Sequence, residues 1–156
     1  MNRFIPLIAA GIGFAFASSG ASAQTLALVK QRGQVLCGVT PNVAGFALPD
    51  QQGNWTGLDV DYCRGIAAAV LGDAKKVKFV PVDTASRFEM LKTGGIDVLI
   101  RVTTWTLSRD SSQSLDFEAT NYYDGQSFMV RKKLNIKSAA ELNGASICVQ
   151  QAPRPN

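Results

Sequence analysis

Short apolar runs bounded by turn-forming residues recur along the chain and predict β-strands. Three of them lie at 34–39, 77–82 and 96–100. The run at 96–100 is almost uninterrupted, which is typical of a strand that is buried on both faces. After the first run, residues 40–57 contain repeated Pro, Gly and Asn turn signals, which predict a loop.

Helical periodicity occupies the stretches between these strands. Residues 59–71 place apolar side chains at i, i+3, i+4 and i+7, and Gly72 ends the pattern; the apolar positions are Cys63, Ile66, Ala67 and Val70. Thr84 is predicted to cap a second, short helix whose buried face is formed by Phe88 and Leu91. Strands that alternate with helices in this way predict an α/β fold with a parallel or mixed sheet.

The second half of the chain carries weaker signals of the same kind. Thr106 is predicted to begin a short helical turn, and the aromatic-rich residues 122–130 are predicted to be extended. Ser138 and Glu141 have the spacing of a capping box, which marks a helix start. Residues 145–149 form another apolar run, which predicts a strand.

The N-terminal residues have the pattern of an export signal. Arg3 precedes an apolar run at 4–17, and the small residues at 21–23 form a cleavage site that places the mature N-terminus at Gln24. The run is shorter than the roughly 20 apolar residues that span a bilayer. The pattern predicts a signal peptide at 1–23 and release of the protein into the periplasm.

The residue types exclude several kinds of chemistry. The chain has no histidine, which excludes Ser-His and Cys-His nucleophiles and histidine-based metal sites. Its 16 basic and 12 acidic residues give a formal charge of +4, but the basic residues are scattered, so we expect no nucleic-acid partner. The spacing of Cys37, Cys63 and Cys148 is too open for a zinc ribbon, and we expect neither a metal nor a cofactor.

Arg109 is a candidate for anion binding. It belongs to the segment 101–109, which follows a predicted strand at the place where open α/β sheets bind ligands. A cation near the start of a helix opposes the helix dipole, an arrangement that a bound carboxylate would stabilise. The alternative is a surface arginine that pairs with Asp110 or Asp116.

Other polar and aromatic residues are weaker candidates. Asp59 and Asp61 are two residues apart on a predicted helix and do not face each other, so we interpret Asp59 as a helix cap and Asp61 as a first-turn charge. Phe88 is expected in the core. Phe46 lies in the loop after the first predicted strand and is a better candidate for stacking on a ligand.

The order of several motifs resembles the solute-binding proteins of family 3, the amino-acid binders of ABC transporters, and most of all their general L-amino-acid subgroup. The matching segments are Gly-Leu-Asp-Val-Asp at 57–61, Val-Lys-Phe-Val-Pro at 77–81, Arg-Phe at 87–88, Gly-Ile-Asp-Val at 95–98, Thr-Thr-Trp-Thr-Leu-Ser-Arg-Asp at 103–110, Tyr-Tyr-Asp-Gly-Gln at 122–126 and Phe-Met-Val-Arg-Lys at 128–132.

This resemblance implies a type II periplasmic-binding-protein-like fold, in which two α/β lobes enclose the ligand. Residues 24–127 would form an incomplete lobe one that lacks its C-terminal return segment. Residues 128–151 would form the hinge and the start of lobe two.

The resemblance also implies the roles of particular residues. Arg109 would hold the α-carboxylate of an L-amino acid, Thr104 would add hydrogen bonds, and Thr103 lies nearby. Phe46 would contact the ligand side chain, and Arg101 begins the same ligand-binding segment. This sequence departs from the subgroup, which usually has Ser and Asn at the two positions that flank Arg101.

The cysteines have two interpretations. Cys37 on the first predicted strand and Cys63 on the first predicted helix would bridge if the two elements pack together, and two separate buried thiols are the alternative. In the family, the cysteine at the position of Cys148 pairs within lobe two.

The implied function is that of a monomeric periplasmic binding protein, not an enzyme, which delivers L-amino acids to an inner-membrane permease. Ligand capture would occur by closure of the lobes. The alternative is an enzyme on the same fold, such as a cyclohexadienyl (prephenate or arogenate) dehydratase.

The final residues, 152–156, are foreign to the family pattern, and we expect binding to be impaired by truncation. The family continues with Gly-Thr-Thr-Thr-Glu-Leu after Gln151, and deletion of one G from a coding sequence for it yields Ala-Pro-Arg-Pro-Asn, the ending observed here. We therefore predict that a shift of reading frame at the codon of Ala152 restores the family sequence. Sequencing of the gene checks this, and immediate stop codons in every frame would contradict it.

Overall fold

The computed structural model of the chain describes residues 22–112, 115–125 and 127–149. Most of the predicted signal peptide at 1–23 and the whole predicted foreign tail at 152–156 lie outside the described residues. In the described ranges, no helix has both the length and the apolar character needed to cross a membrane.

The described elements alternate between helices and strands. The α-helices are α1 (Ser22–Arg32), α2 (Leu58–Leu71), α3 (Arg87–Lys92) and α4 (Leu107–Ser112). The strands are β1 (Val35–Val39), β2 (Leu48–Pro49), β3 (Trp55–Thr56), β4 (Val77–Pro81) and β5 (Val98–Leu99). Two short 3-10 helices follow at Lys132–Leu134 and Ala139–Leu142.

Strand β1 is the centre of a three-stranded parallel sheet with the order β4-β1-β5. It pairs with β4 along its whole length, from Val35 opposite Val77 to Val39 opposite Pro81. It pairs with β5 at Cys37, which lies opposite Val98. The α/β class predicted from the sequence is therefore confirmed, with α2 as the crossover helix between two parallel strands.

The segment predicted as a loop, 40–57, contains a small hairpin. Strands β2 and β3 pair in antiparallel fashion, with Leu48 opposite Thr56. Asp50 closes the hairpin turn because one of its carboxylate oxygens accepts hydrogen bonds from the backbone of Gln52 at 2.9 Å and of Asn54 at 2.7 Å. Each strand has two residues, too few for a period-two pattern to be visible in the sequence.

Helix α2 packs against the sheet through its predicted apolar face. Val60, Cys63 and Ala67 are fully buried, and Cys63 and Val60 belong to the same cluster as Cys37 and Val39 of β1. The periodicity that predicted this helix therefore identified two of its buried side chains, Cys63 and Ala67, and two partly buried ones, Ile66 and Val70, but not Val60.

Helix α1 was not predicted from the sequence. Its contact with the core is made by Val29, which packs with Val35 and Ala67, while Leu26 and Leu28 are exposed. Among residues 24–32 of this helix Val29 alone is buried, and one buried position produces no helical periodicity that the sequence could show.

Asp97 joins the start of β5 to its neighbours. Its backbone N–H donates to the carbonyl of Leu36 at 2.9 Å, and its carboxylate accepts from the N–H of Leu36 at 2.7 Å. The carboxylate also forms an ion pair with Arg32 at the end of α1. These bonds extend the pairing of β1 and β5 beyond the two residues of the strand.

The start of α3 differs from the prediction that Thr84 caps it. A carboxylate oxygen of Asp83 accepts hydrogen bonds from the backbone N–H groups of Ala85 and Ser86, at 2.8 and 2.7 Å, and from the Ser86 hydroxyl. A carboxylate is a stronger acceptor than a threonine hydroxyl, and here it organises the turn that precedes the helix. The buried residue of α3 is Arg87, whereas the predicted apolar face is only half-buried.

The last described range agrees with the sequence in one respect and differs in another. The predicted capping box is present, with Ser138 and Glu141 bonding to each other's backbone, although it begins a 3-10 helix of only four residues. The predicted strand at 145–149 is wrong, because these residues have no strand conformation and pair with no other strand in the described ranges. A strand needs a neighbouring strand to satisfy its backbone groups.

A disulfide joins Cys37 to Cys63, and so connects the central strand to α2. Both cysteines are fully buried, and they lie 26 positions apart along the chain. Cys148 is free and exposed. The structure thus favours the bridged arrangement of the two cysteines over two separate thiols.

We predict that reduction of this disulfide lowers the free energy of unfolding by about 3 kcal/mol, because the unfolded chain regains the freedom of a closed loop. Urea unfolding with and without dithiothreitol measures the change. The Cys37→Ala/Cys63→Ala double variant should lose its response to the reductant, whereas Cys148→Ser should keep it. Equal stability of the oxidised and reduced protein would contradict the prediction.

Candidate functional site

The candidate site lies at the carboxyl edge of the parallel sheet. Because β1, β4 and β5 run in the same direction, the segments that follow them, 40–46, 82–86 and 100–106, emerge at one edge. Backbone bonds of 3.0 Å from Val82 to Val39 and of 2.9 Å from Ile100 to Gly38 continue the sheet up to this edge. This is the usual ligand-binding position of open α/β sheets.

Three arginines and one phenylalanine meet at this edge and form what we call the arginine cluster: Arg87, Phe88, Arg101 and Arg109. The guanidinium carbon of Arg87 lies 4.5 Å from the centre of the Phe88 ring, and that of Arg109 lies 5.8 Å from the same centre. Arg101 is near enough for its charge to act on Arg87. The cluster therefore concentrates positive charge around one aromatic ring.

The electrostatics of the cluster are those of crowded and partly desolvated cations. Burial, together with the smaller effects of the charges on Arg101 and Arg109, lowers the pKa of Arg87 to about 10. Burial also lowers the pKa of Arg101, against the opposing influence of Asp83 and Asp59. Arg87 still carries its charge at neutral pH, because a pKa near 10 lies well above 7.

Arg101 is held by two long hydrogen bonds. It donates to the carbonyl of Asp83 at 3.4 Å and to the hydroxyl of Thr84 at 3.5 Å, both in the segment that follows β4. Its Nε is buried and has no hydrogen-bond partner within the described ranges. The guanidinium thus has bonding capacity that the neighbouring residues do not fill.

Arg109 lies on α4, in the position that the sequence predicted. Thr106 accepts from the backbone N–H of Arg109 through both its hydroxyl, at 3.3 Å, and its carbonyl, at 3.1 Å, as expected for a residue that begins a helix. The Arg109 side chain donates to the carbonyl of Thr104 at 2.6 Å. Among the described residues it forms no ion pair with Asp110 or Asp116, which was the alternative.

Thr103 and Thr104 contribute different groups. The hydroxyl of Thr103 is buried and has no hydrogen-bond partner in the described part of the chain. Thr104 is exposed, and its backbone carbonyl holds Arg109. An unbonded buried hydroxyl costs roughly 1–3 kcal/mol, so Thr103 is the residue of this pair that would gain from a ligand.

Phe46 packs edge-to-face against Tyr122, with 5.1 Å between the ring centres. Its backbone carbonyl accepts the N–H of Asp59 at 3.0 Å, and the carbonyl of Gly45 accepts the N–H of Leu58 at 2.9 Å. The loop after β1 therefore supplies the acceptors for the first N–H groups of α2.

This contact corrects the interpretation of Asp59 as a cap. The N-cap of α2 is Gly57, with φ of 123°, and no side chain caps the helix. A Cβ atom at position 57 would lie 2.3 Å from the carbonyl oxygen of Phe46, so only glycine permits the approach. Because loop carbonyls already satisfy the helix start, the Asp59 side chain is not needed there.

Asp59 is instead a buried carboxylate, with 1% of its surface exposed. One oxygen accepts a hydrogen bond from the side chain of Asn121 at 3.3 Å, and the other has no partner among the described residues. Burial raises its pKa, against the opposing effects of Asn121 and of the charge on Arg101. Asp59 therefore provides negative charge beside the arginine cluster from within the protein.

Arg87 is the residue that sequence reasoning missed as a possible site residue. It lies beside Phe88, in the first turn of a helix, where a cation opposes the helix dipole. The same argument singled out Arg109, so the signal was present in the sequence. What the sequence could not show is that the side chain is buried against its neighbour.

An open cavity of about 350 Å³ adjoins the cluster at Arg101. The other lining residues come from the ends of β1 and β4; they are Thr40, Pro41, Asn42, Pro81, Val82, Asp83 and Thr84. Phe46, Thr103, Thr104 and Arg109 are not among its walls. The described residues contain no group of three acidic or thiol side chains that could hold a metal ion.

The raised pKa of Asp59 predicts a pH dependence of stability. The folded state keeps a proton at pH values where the unfolded state, with a pKa near 3.8, has lost it. Wild-type stability should therefore rise relative to Asp59→Asn as the pH falls through this interval. Urea unfolding of both proteins at about pH 7 and about pH 4 measures the difference.

Asp50→Asn is the matched control with the opposite sign. Hydrogen bonds from the side chain and backbone of Asn54 lower the pKa of Asp50, so wild-type stability relative to this variant should fall on acidification. If the difference between wild type and Asp59→Asn were the same at both pH values, the pKa of Asp59 would not be raised.

Comparison with known proteins gives a consistent result. The family model of the bacterial extracellular solute-binding proteins, family 3, matches residues 35–147. The chain is 54% identical over 147 residues to the general L-amino acid-binding periplasmic protein AapJ of Rhizobium johnstonii. This match covers 92% of the chain and 43% of AapJ. The chain is also 55% identical over 136 residues to the glutamate/glutamine/aspartate/asparagine-binding protein BztA of Rhodobacter capsulatus. That match covers 87% of the chain and 40% of BztA.

A solved structure agrees in fold as well as in sequence. It is the ABC transporter periplasmic binding protein of Brucella ovis with glutathione bound, and this chain is 54% identical to it. The two structures superpose with a TM-score of 0.76, and the match covers 80% of this chain and 40% of the Brucella ovis chain. The chain thus spans about two fifths of the length of these relatives. On the family match and these identities, the chain belongs to the bacterial extracellular solute-binding proteins, family 3.

Proposed function

We propose that the chain supplies the first-lobe half of a periplasmic site that captures L-amino acids for an ABC importer. The observation that carries the proposal is Arg109, a guanidinium at the carboxyl edge of the sheet that has no carboxylate partner among the described residues. A guanidinium offers two parallel N–H donors to a carboxylate, the group that every amino acid shares.

The neighbouring threonines support this role for Arg109. The carbonyl of Thr104 holds the guanidinium in place at 2.6 Å, which leaves its remaining N–H groups to bind the α-carboxylate. The buried, unbonded hydroxyl of Thr103 can donate to the same carboxylate. Phe46 and Arg101 are the other two proposed ligand-binding residues. Phe46 would contact the ligand through its ring, which packs against Tyr122, and Arg101 lines the open cavity.

The names of the relatives support an amino-acid ligand and a periplasmic location. AapJ is named for general L-amino acids, BztA for four acidic and amide amino acids, and the Brucella ovis protein holds glutathione, which contains a glutamyl group. On this proposal residues 24–127 form the ligand-facing lobe, and residues 128–151 lead into a second lobe that closes on the ligand. The partner that receives the ligand is the permease of the importer.

An enzymatic dehydratase on the same fold has less support. Such an enzyme needs an acid that can reach its substrate, and the carboxyl group with a raised pKa beside the cluster is that of Asp59. Asp59 is 1% exposed and is bonded to Asn121, so it is poorly placed to exchange a proton with a bound molecule. The geometry favours binding over catalysis.

We predict that Arg109→Gln weakens the binding of L-amino acids by at least about tenfold, because a hydrogen bond between charged groups contributes about 1.5–3 kcal/mol. Titration of the ¹⁵N-labelled protein with L-glutamate, L-glutamine and L-leucine, followed by NMR, measures even millimolar affinities. The expected shifts are at the backbone of Thr103 and Thr104 and at the side chain of Arg109.

Arg64→Gln is the matched control, because Arg64 also lies over an aromatic ring, 5.6 Å from the centre of Phe79, but is paired with Asp61. This variant should bind as the wild type does. Equal binding by Arg109→Gln and wild type, or no shift at any concentration of the three ligands, would refute the proposed function.

A further inference from the structure

We infer that Asp59 is a positioning residue, which anchors the segment 115–125 to the start of α2 through Asn121. We call residues 115–125 the exit segment, because on the proposed function they lead from the ligand-facing lobe towards the hinge. The inference goes beyond amino-acid capture, since it concerns a contact inside the chain that forms without a ligand. It is carried by the way the exit segment is attached, by the burial of Asp59, and by the position of the anchor beside the candidate site.

The first observation is that side chains attach the exit segment to the rest of the described chain. Its residues form no helix or strand, and they make no backbone–backbone hydrogen bond within the described ranges. Its described hydrogen bond and ring contacts form three pairs: Phe117 with Trp105, Asn121 with Asp59, and Tyr122 with Phe46. Because backbone pairing does not fix the path of the segment, that path depends on these side chains.

The second observation is that the bond between Asn121 and Asp59 is the polar contact among the three. The side-chain Nδ2 of Asn121 donates to a carboxylate oxygen of Asp59 at 3.3 Å, and the two residues lie 62 positions apart along the chain. Ring contacts tolerate a range of distances and angles, whereas a hydrogen bond weakens steeply when its geometry changes. This bond therefore restricts the position of residue 121 more narrowly than the ring contacts restrict their neighbours.

Burial makes the carboxylate of Asp59 dependent on this donor. Asp59 is 1% exposed, and its second oxygen has no hydrogen-bond partner among the described residues. The other groups that act on it are the amide of Asn121 and the charge of Arg101. A buried polar group that loses its hydrogen bond is destabilised by desolvation, so detachment of Asn121 is unfavourable.

The third observation is that the anchor adjoins residues that we propose to bind the ligand. Phe46, which packs against Tyr122, is one of them, and Arg101, whose charge acts on Asp59, is another. The exit segment is therefore attached to the loop after β1 and to the start of α2, which also carry or face the proposed ligand contacts. The anchor gives the segment a fixed starting point beside the site.

The test uses the ligand-free, ¹⁵N-labelled chain, in which NMR relaxation measures the motion of each backbone amide. We expect order parameters of about 0.85 at residues 119–122 in the wild type, and values below about 0.6 in Asn121→Ala, which lacks the donor. Asp59→Asn keeps the shape of the side chain but loses its charge, and should lower the order parameters by less. The double variant should be no more mobile than Asn121→Ala, because both substitutions act on one bond.

Asp50→Asn is the matched control, because Asp50 also accepts a hydrogen bond from an asparagine side chain, that of Asn54 at 2.9 Å, but in the hairpin turn. This variant should leave the order parameters of the exit segment unchanged. Wild-type order parameters in Asn121→Ala would overturn the anchor. So would effects of Asp59→Asn and Asn121→Ala that add in the double variant, or an equal loss of order in Asp50→Asn.

The side-chain amide of Asn121 gives a second readout, which a merely structural role of Asp59 would not change. Its ¹H and ¹⁵N signals should shift as Asp59 titrates, with a midpoint above 3.8 because burial raises the pKa of this carboxyl group. In Asp59→Asn the same signals should stay constant. Wild-type signals that do not move between about pH 4 and about pH 8 would refute the assignment.

Thermal unfolding shows whether each variant is folded, and the titration of the wild type decides the question if a variant is not. These experiments also separate the inference from the proposed function, because they contain no ligand. A chain that binds no amino acid but shows the expected titration and order parameters retains the anchor and loses the proposed function. A chain that binds amino acids through Arg109 without these signs retains the proposed function and loses the anchor.

Discussion

The parallel pairing of β1 with both β4 and β5 determines where the candidate binding groups of this chain lie. One central strand sets the direction of its two neighbours, so the three segments that leave the sheet share an edge. The disulfide between Cys37 and Cys63 fastens the middle of this strand to α2, and Asp97 fastens β5 to it. The arginine cluster is thus built on the most buried element of the fold, which is the support that a preorganised site requires.

The electrostatics of the edge follow from this arrangement. Arginines contributed by α3, α4 and the segment after β5 converge because the sheet brings those segments together, and no element of the described chain pairs with Arg87 or Arg109 through a carboxylate. The disulfide between Cys37 and Cys63 stabilises the core beneath these segments. A pKa perturbed by burial and neighbouring charges, such as that of Arg87, is common at functional sites.

The sequence alone predicted the elements whose periodicity is strong and the place of Arg109 in the chain fold. Four apolar positions marked helix α2, and Thr106 marked the start of the short helix that carries Arg109. The binding role of Arg109 stays a proposal. Helix α1 and the burial of Arg87 were not predictable, since each depends on contacts between residues distant in sequence. The strand expected at 145–149 failed because an apolar run does not contain its own pairing partner.

The close approach of Gly57 to Phe46 limits where this chain can change in length. The carbonyls of Gly45 and Phe46 are bonded to the first turn of α2, so an inserted residue between Thr40 and Gly45 would displace the helix and with it Asp59. The hairpin tip around Gly53 is different, since it has open space around it and bonds only locally. We therefore expect an insertion or deletion at the tip to disturb this chain less than one in the path from β1 to α2.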